Sequence, residues 1–216
     1  NNHMKKNNLI ESSKIENILA NECKVLENPI FLEFGVQLGS STSAFLNICK
    51  KNNGFLYSVD IDDCSDAFKN INYWKFIQSR DDNFKKIKDL IPKKIDLIYL
   101  DTEHTANHVE KIIYNYFDLL KTGGLFIIDD TSWIPYLKNN NFNNFFCEIN
   151  NKETFDRILE IYNGNLENID IKFSFEGSGS CIIKKKNNQN LNVKKRVVTR
   201  ENSLKNMIKK FLNILS

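Results

Sequence analysis

Between Ile30 and Asp129 short apolar runs alternate with stretches of helical period, and this alternation leaves little choice of architecture. The runs fall at residues 30–34, 54–60, 74–79, 95–100 and 125–129. Helical patterns fill the gaps at 41–51, 64–71, 82–91 and 105–120, and another spans 9–27 up to Asn28-Pro29. In the longest gap, Val109, Ile112, Ile113, Tyr116, Phe117 and Leu120 share one helical face. The segment from Lys121 to Gly124 reads as its stop signal. The run 95–100 is apolar on both faces, as a parallel strand covered by helices on both sides must be. Short βα units impose right-handed crossovers, so the expected fold is a Rossmann-like, doubly wound α/β sheet that is mostly parallel.

Beyond the fifth run the pattern changes. A helix at 152–162 precedes two more strands, 169–175 and 180–185, joined by the hairpin signal at 176–179. That makes seven strands with an antiparallel pair at the C-terminal end, unlike a six-strand dinucleotide-binding layout. Residues 1–8 read as a tag remnant and flexible start, residues 9–185 as one domain, and residues 186–216 as a basic linker with an amphipathic helix at 203–215.

Charge is unevenly spread. The chain carries +3 overall, residues 184–216 carry +9, and the difference leaves −6 on residues 1–183. An acidic body with a basic tail argues against a nucleic-acid enzyme, and no Asn-Pro-Pro-Tyr or Asp-Pro-Pro-Tyr sequence for base amines is present. No stretch has the length and apolarity of a membrane span and no signal peptide is legible. The five cysteines are widely spaced without a C-x-x-C, which fits a reducing cytoplasm.

The chemistry concentrates at strand ends. After the first strand comes Gly35-x-x-x-Gly39, where glycines let backbone approach a ligand and a helix start offers unpaired N–H groups. No Gly-Lys-Ser/Thr follows, so a P-loop is excluded. Asp60 closes the second strand, 25 residues after Gly35, where doubly wound folds place an acid toward ribose hydroxyls; an aspartate there also serves as a helix cap. Asp101 ends the fourth strand and Asp129-Asp130 the fifth. Neighbouring strands would bring these carboxylates together, and they would repel unless a cation or proton joined them; equally, such aspartates cap loops. His104 and His108 lie four apart on one helix, but Thr105 rules out H-E-x-x-H, and His108 reads as a partly exposed helix residue.

As a set, Glu33-x-Gly35-x-x-x-Gly39-x-Ser41, Val59-Asp60, Asp96 to Asp101 and Leu120 to Asp130 resemble class I S-adenosylmethionine-dependent methyltransferases over about residues 10–185. The resemblance implies that Glu33, Gly35, Gly39, Ser40, Asp60, Ile61, Asp81 and Asp101 bind the cofactor, with Glu33 reaching its ammonium group through water. More narrowly, Asp101-Thr-Glu-His104 with Asp129-Asp130 is similar to metal-dependent sugar O-methyltransferases of macrolide deoxysugars. That likeness implies magnesium on Asp101, Asp129 and Asp130, and His104 as general base toward a saccharide or other small-molecule acceptor. Phenolic or natural-product acceptors and a non-catalytic scaffold are the competing expectations. Trp133 and Tyr136 read either as walls of the acceptor pocket or as core aromatics. The helix at 203–215 has its apolar residues on one face and lysines on the flanks; it has two candidate destinations, a protein surface of the same or a second copy, giving a homo-oligomer, or the anionic inner membrane as a peripheral contact.

Overall fold

The computed structural model describes residues 15–20, 26–133, 145–175, 178–200 and 203–215. Helix α1 is present over residues 15–20. Then follow β1 (Ile30–Phe34), α2 (Ser40–Asn52), β2 (Phe55–Asp60), β3 (Trp74–Gln78), α3 (Phe84–Leu90), β4 (Ile95–Leu100) and α4 (Ala106–Tyr116). A 3-10 turn at Phe117–Leu119 leads into β5 (Leu120–Asp129), α5 (Phe145–Gly164), β6 (Ile169–Ser174), β7 (Ser180–Lys185) and α6 (Leu204–Leu215). The seven strands form one sheet in the order β3-β2-β1-β4-β5-β7-β6. β1 to β5 pair in parallel, and β7 is antiparallel to both β5 and β6, as the strand pattern predicts.

Period-two alternation sorts the core onto the two faces of the sheet. Leu32, Phe34, Ile98, Leu100, Phe126 and Ile128 join a cluster with Ile112, Tyr116, Ile158 and Ile161 of α4 and α5. Phe31, Leu97, Tyr99, Leu125 and Ile127 face the other way, onto Ile15, Leu19, Ala44 and Phe45 of α1 and α2. The central strands are buried on both sides, so polar side chains gather at the strand ends, where they break no core.

Three local expectations fail for identifiable reasons. Residues 64–71 form turns, not a helix. Asp60 and Asp63 take the N–H groups of Asp62 and Ser65 in side-chain turns that compete with helix formation, and Phe68 packs edge-on against Trp74 at 5.4 Å. Residues 121–124 belong to β5 rather than to a helix stop: Leu120 pairs with Ile95 across an irregularity, and Lys121 Nζ holds both oxygens of Asp96 at 2.8 Å. Helix α5 starts at Phe145, seven residues before the expected start.

Residues 186–196 are not a loose linker. Tyr114 and Asn165 donate to the Asn192 carbonyl at 2.9 and 3.0 Å, Lys195 N donates to Glu160 O at 2.9 Å, and Lys194 Nζ binds Glu110 at 2.5 and 2.7 Å. This strap crosses α4 and α5. The expected flexible start at 1–8 lies outside the described residues.

Candidate active site

The site begins where β1 stops. Phe34 O accepts from Asp101 N and Val59 O from Gly35 N, each at 2.9 Å, so the turn is seated between the ends of β2 and β4. Gly35 has φ +96°, and a Cβ there would lie 2.0 Å from the Asp101 carbonyl oxygen. Only glycine permits that approach. Gly39, at φ +77°, ends the turn and starts α2.

Asp60 braces this turn from β2. Its Oδ2 accepts from Val36 N at 2.7 Å and Gln37 N at 3.1 Å, and its Oδ1 from Asp62 N at 3.0 Å. Partial burial pushes its carboxyl up, but these backbone N–H groups outweigh that and hold it below the usual carboxylate range. Asp60 therefore stays ionised and shapes the turn as well as lining the cleft.

Glu33 sits beneath the turn, not in the cleft. It is fully buried, and its carboxyl accepts from Ser41 at 2.5 Å, Ser58 at 2.6 Å and Thr42 at 2.8 Å, with Trp74 Nε1 donating to Ser58 at 3.0 Å. A water-bridged contact to a ligand is thus replaced by a structural one: Glu33 ties the start of α2 to β1 and β2. Burial pushes its carboxyl up to about 7, against the three hydroxyl donors. The folded chain then retains a proton that the unfolded chain loses above about 4.5. This contribution to stability is complete below that pH and is lost as pH rises toward 7, by on the order of 3 kcal/mol. Glu33→Gln is expected to flatten the dependence of Tm on pH between 5 and 8, measured by calorimetry; an unchanged slope would locate the titration elsewhere.

A cleft of about 370 Å³ opens along the strand ends, lined by Gly35, Asp60, Ile61, Asp81, Asp101 and His108 among others. Its size suits a small ligand or cofactor. A hollow of about 30 Å³ on the other side of the turn is bounded by Gly35, Leu38, Ser40 and Asp101. Five of the eight predicted cofactor residues thus line one cleft, Ser40 lines the adjoining hollow, and Gly39 and Glu33 act from behind.

At the cleft floor lies a pair that spacing did not reveal. Asp81 Oδ2 accepts from Thr102 at 2.5 Å and lies 2.7 Å from His108 Nε2. His108 is 8% exposed, so the expectation of a partly exposed helix residue is corrected. Burial raises the Asp81 carboxyl, but its hydrogen bonds to His108 and Thr102 lower it more; Asp81 in turn raises the His108 imidazole. Asp81 and His108 are 27 residues apart on different elements, and only the fold brings them together. Arg80, which also lines the cleft, donates to Asp82, whose carboxyl that hydrogen bond lowers to about 2.

The reactive end is at β4 and β5. His104 Nε2 lies 3.5 Å from Asp101 Oδ1 and 3.3 Å from Asp130 Oδ2. Both distances exceed a well-formed hydrogen bond, so the ring nitrogen is committed to neither carboxylate. Asp130 adopts φ +54°, a left-handed conformation that swings its side chain to this side. Asp129 does not join them. It is 5% exposed, and its Oδ2 accepts from Tyr99 OH at 3.0 Å. Among the described residues no group of three His, Cys, Asp or Glu gathers closely enough to hold a metal ion. The expected three-carboxylate centre is therefore reduced to Asp101 and Asp130, because strand alternation turns Asp129 inward.

Trp133 packs against Phe155 at 4.2 Å and Phe175 at 5.6 Å, which makes it part of an aromatic cluster; Tyr136 lies outside the described residues.

Residues 32–131 match a family model described as a methyltransferase domain. Among solved structures, the SAH-bound methyltransferase PaMTH1 of Podospora anserina is 17% identical with a TM-score of 0.62, over 82% of this chain and 78% of that one. The MycE methyltransferase of the mycinamycin biosynthetic pathway, in complex with Mg, SAH and mycinamycin VI, is 17% identical with a TM-score of 0.59; the match covers 82% of this chain and 50% of MycE. At these identities the likeness carries the fold alone. A search of curated protein sequences finds no match.

Proposed function

We propose that this chain, whose residues 32–131 match a methyltransferase domain, is an S-adenosylmethionine-dependent methyltransferase that methylates a hydroxyl of a sugar or glycan precursor, with His104 as general base. The observation that carries the reading is the imidazole of His104, poised between the carboxylates of Asp101 and Asp130 at the strand ends beside the Gly35 turn.

The cleft suits a cationic ligand. Asp60, Asp62, Asp81, Asp101 and Glu103 line it, against Arg80 alone among lysines and arginines, and such a field attracts a sulfonium and an ammonium group. S-adenosylmethionine supplies a methyl group on that sulfonium, whose sulfur leaves as a neutral thioether. The acceptor oxygen forms the new O–CH₃ bond while its proton passes to His104 Nε2. Asp101 and Asp130, 3.5 and 3.3 Å from that nitrogen, stabilise the imidazolium that results. Holding oxygen and methyl in line accounts for much of the remaining rate.

Magnesium belongs to this proposal through the donor set. Asp101 and Asp130 offer hard carboxylate oxygens on adjoining strand ends, and magnesium is commonly held by one or two carboxylates with water and substrate completing its shell. When bound there it would stabilise the developing alkoxide as a Lewis acid. The expected result of exhaustive chelation is loss of turnover with SAH affinity unchanged, read by a methyl-transfer assay and calorimetry in parallel. Full turnover after chelation would leave His104 as the sole activating group. Labelled methyl transfer to saccharides and nucleotide sugars, compared with phenols, tests the acceptor class; transfer to phenols alone would overturn the sugar reading.

A further inference from the structure

Helix α6 (Leu204–Leu215) is an amphipathic element whose apolar face has no cover on the described body. Leu204, Met207, Ile208, Phe211 and Leu212 are 51–71% exposed, although they repeat at helical spacing on one side. Lys205, Lys209 and Lys210 flank them, and no acidic residue lies between 203 and 216. A helix of 12 residues is marginal alone in water, so this face is built to meet something apolar.

We propose that α6 lies flat on an anionic lipid bilayer and anchors the enzyme peripherally, its apolar stripe at the acyl boundary and its lysines at the phosphates. Charge and area select this occupant. Two α6 helices packed face to face would bring lysines of like sign together with no acid on either to offset them, whereas an anionic surface complements all three. Exposed Lys195, Arg196 and Arg200 just upstream extend the same basic field. A helix of 12 residues is about 18 Å long, and one such face paired with its copy falls short of the roughly 1,000 Å² that a stable protein interface needs. A bilayer sets no such threshold, since binding there grows with each buried apolar group and each lysine. None of the described helices is long and apolar enough to cross a membrane, so the contact is superficial. The strap on Glu110, Glu160 and Asn165 gives the anchor a fixed root on α4 and α5.

The test is co-sedimentation of the full chain with vesicles of phosphatidylcholine alone and of phosphatidylcholine with phosphatidylglycerol in equal parts. Each lysine near an anionic surface contributes about fivefold, so the anionic vesicles should bind on the order of a hundredfold more tightly, and K205Q/K209Q/K210Q should remove most of that difference. M207S/I208S/F211S/L212S, which keeps every charge, should lower binding at least about tenfold because the apolar stripe is lost. Since α6 stands clear of the core, both variants should keep the melting temperature and the subunit mass of the parent. Equal binding to both vesicle types would overturn the proposal. So would undiminished binding by the serine variant, a subunit mass that drops with it, which would assign the face to a second copy, or binding to single-stranded RNA that survives loss of the apolar stripe.

Discussion

His104→Ala should lower kcat by roughly 10²–10⁴, the range for removing one general base, while leaving SAH affinity within about twofold. The split matters because His104 is not among the residues lining the cleft, where Gly35, Asp60, Asp81 and His108 are. Steady-state kinetics with calorimetry on the same preparation reads both numbers. A fall in cofactor affinity as large as the fall in kcat would mean that the ring only supports the fold at the start of α4. Asp130→Asn should also lower kcat, since it weakens the stabilisation of the imidazolium and removes one of the two carboxylates offered to magnesium, and it too should spare SAH affinity.

Among the described glycines, Gly35→Ala is expected to be the most damaging substitution by alanine. The added carbon would meet the Asp101 carbonyl oxygen at 2.0 Å and its carbonyl carbon at 2.9 Å, both backbone atoms at the end of β4. It would also force a side chain onto φ +96°. Backbone strain and overpacking each cost about 1–3 kcal/mol, so a loss of about 3 kcal/mol or more, near 10 °C in Tm, is expected together with loss of SAH binding. Gly123→Ala is the control. It too has positive φ, +83°, but nothing lies within 4 Å of the added carbon, so only the strain applies and binding should survive. Equal effects of the two substitutions, measured by differential scanning calorimetry, would show that close approach to Asp101 is not what the glycine at position 35 provides.

The fold was legible because burial on both faces leaves a strong pattern. Apolar runs such as 95–100 admit few structures other than a central parallel strand, and the helix and strand pair after β5 set the antiparallel end. The turn at Gly35, the acid at Asp60 and the carboxylates of Asp101 and Asp130 were likewise legible, because strand ends in such a sheet converge by topology, while His104 was singled out by the family resemblance of Asp101-Thr-Glu-His104. Direction of side chains was not. Consecutive residues on a strand face opposite ways, so Asp129 and Asp130 cannot both reach one point unless the backbone breaks, and the left-handed Asp130 settles which of them does. The Asp81–His108 pair and the seating of Glu33 under three hydroxyls depend on contacts between elements far apart in sequence, which periodicity does not encode. The helix expected at 64–71 failed because local aspartate turns outcompeted a weak apolar spacing.

In the proposed reading, S-adenosylmethionine occupies the cleft between Gly35, Asp60 and Asp81. Isothermal titration of SAH into the parent chain and into Asp60→Ala decides whether it does. The expected result is one molecule bound per chain, weakened in the variant by roughly 1.5–3 kcal/mol, the range for a hydrogen bond to a charged group, with the braced turn at Val36 and Gln37 loosened at the same time. No binding by the parent chain, or parental affinity in Asp60→Ala, would contradict it.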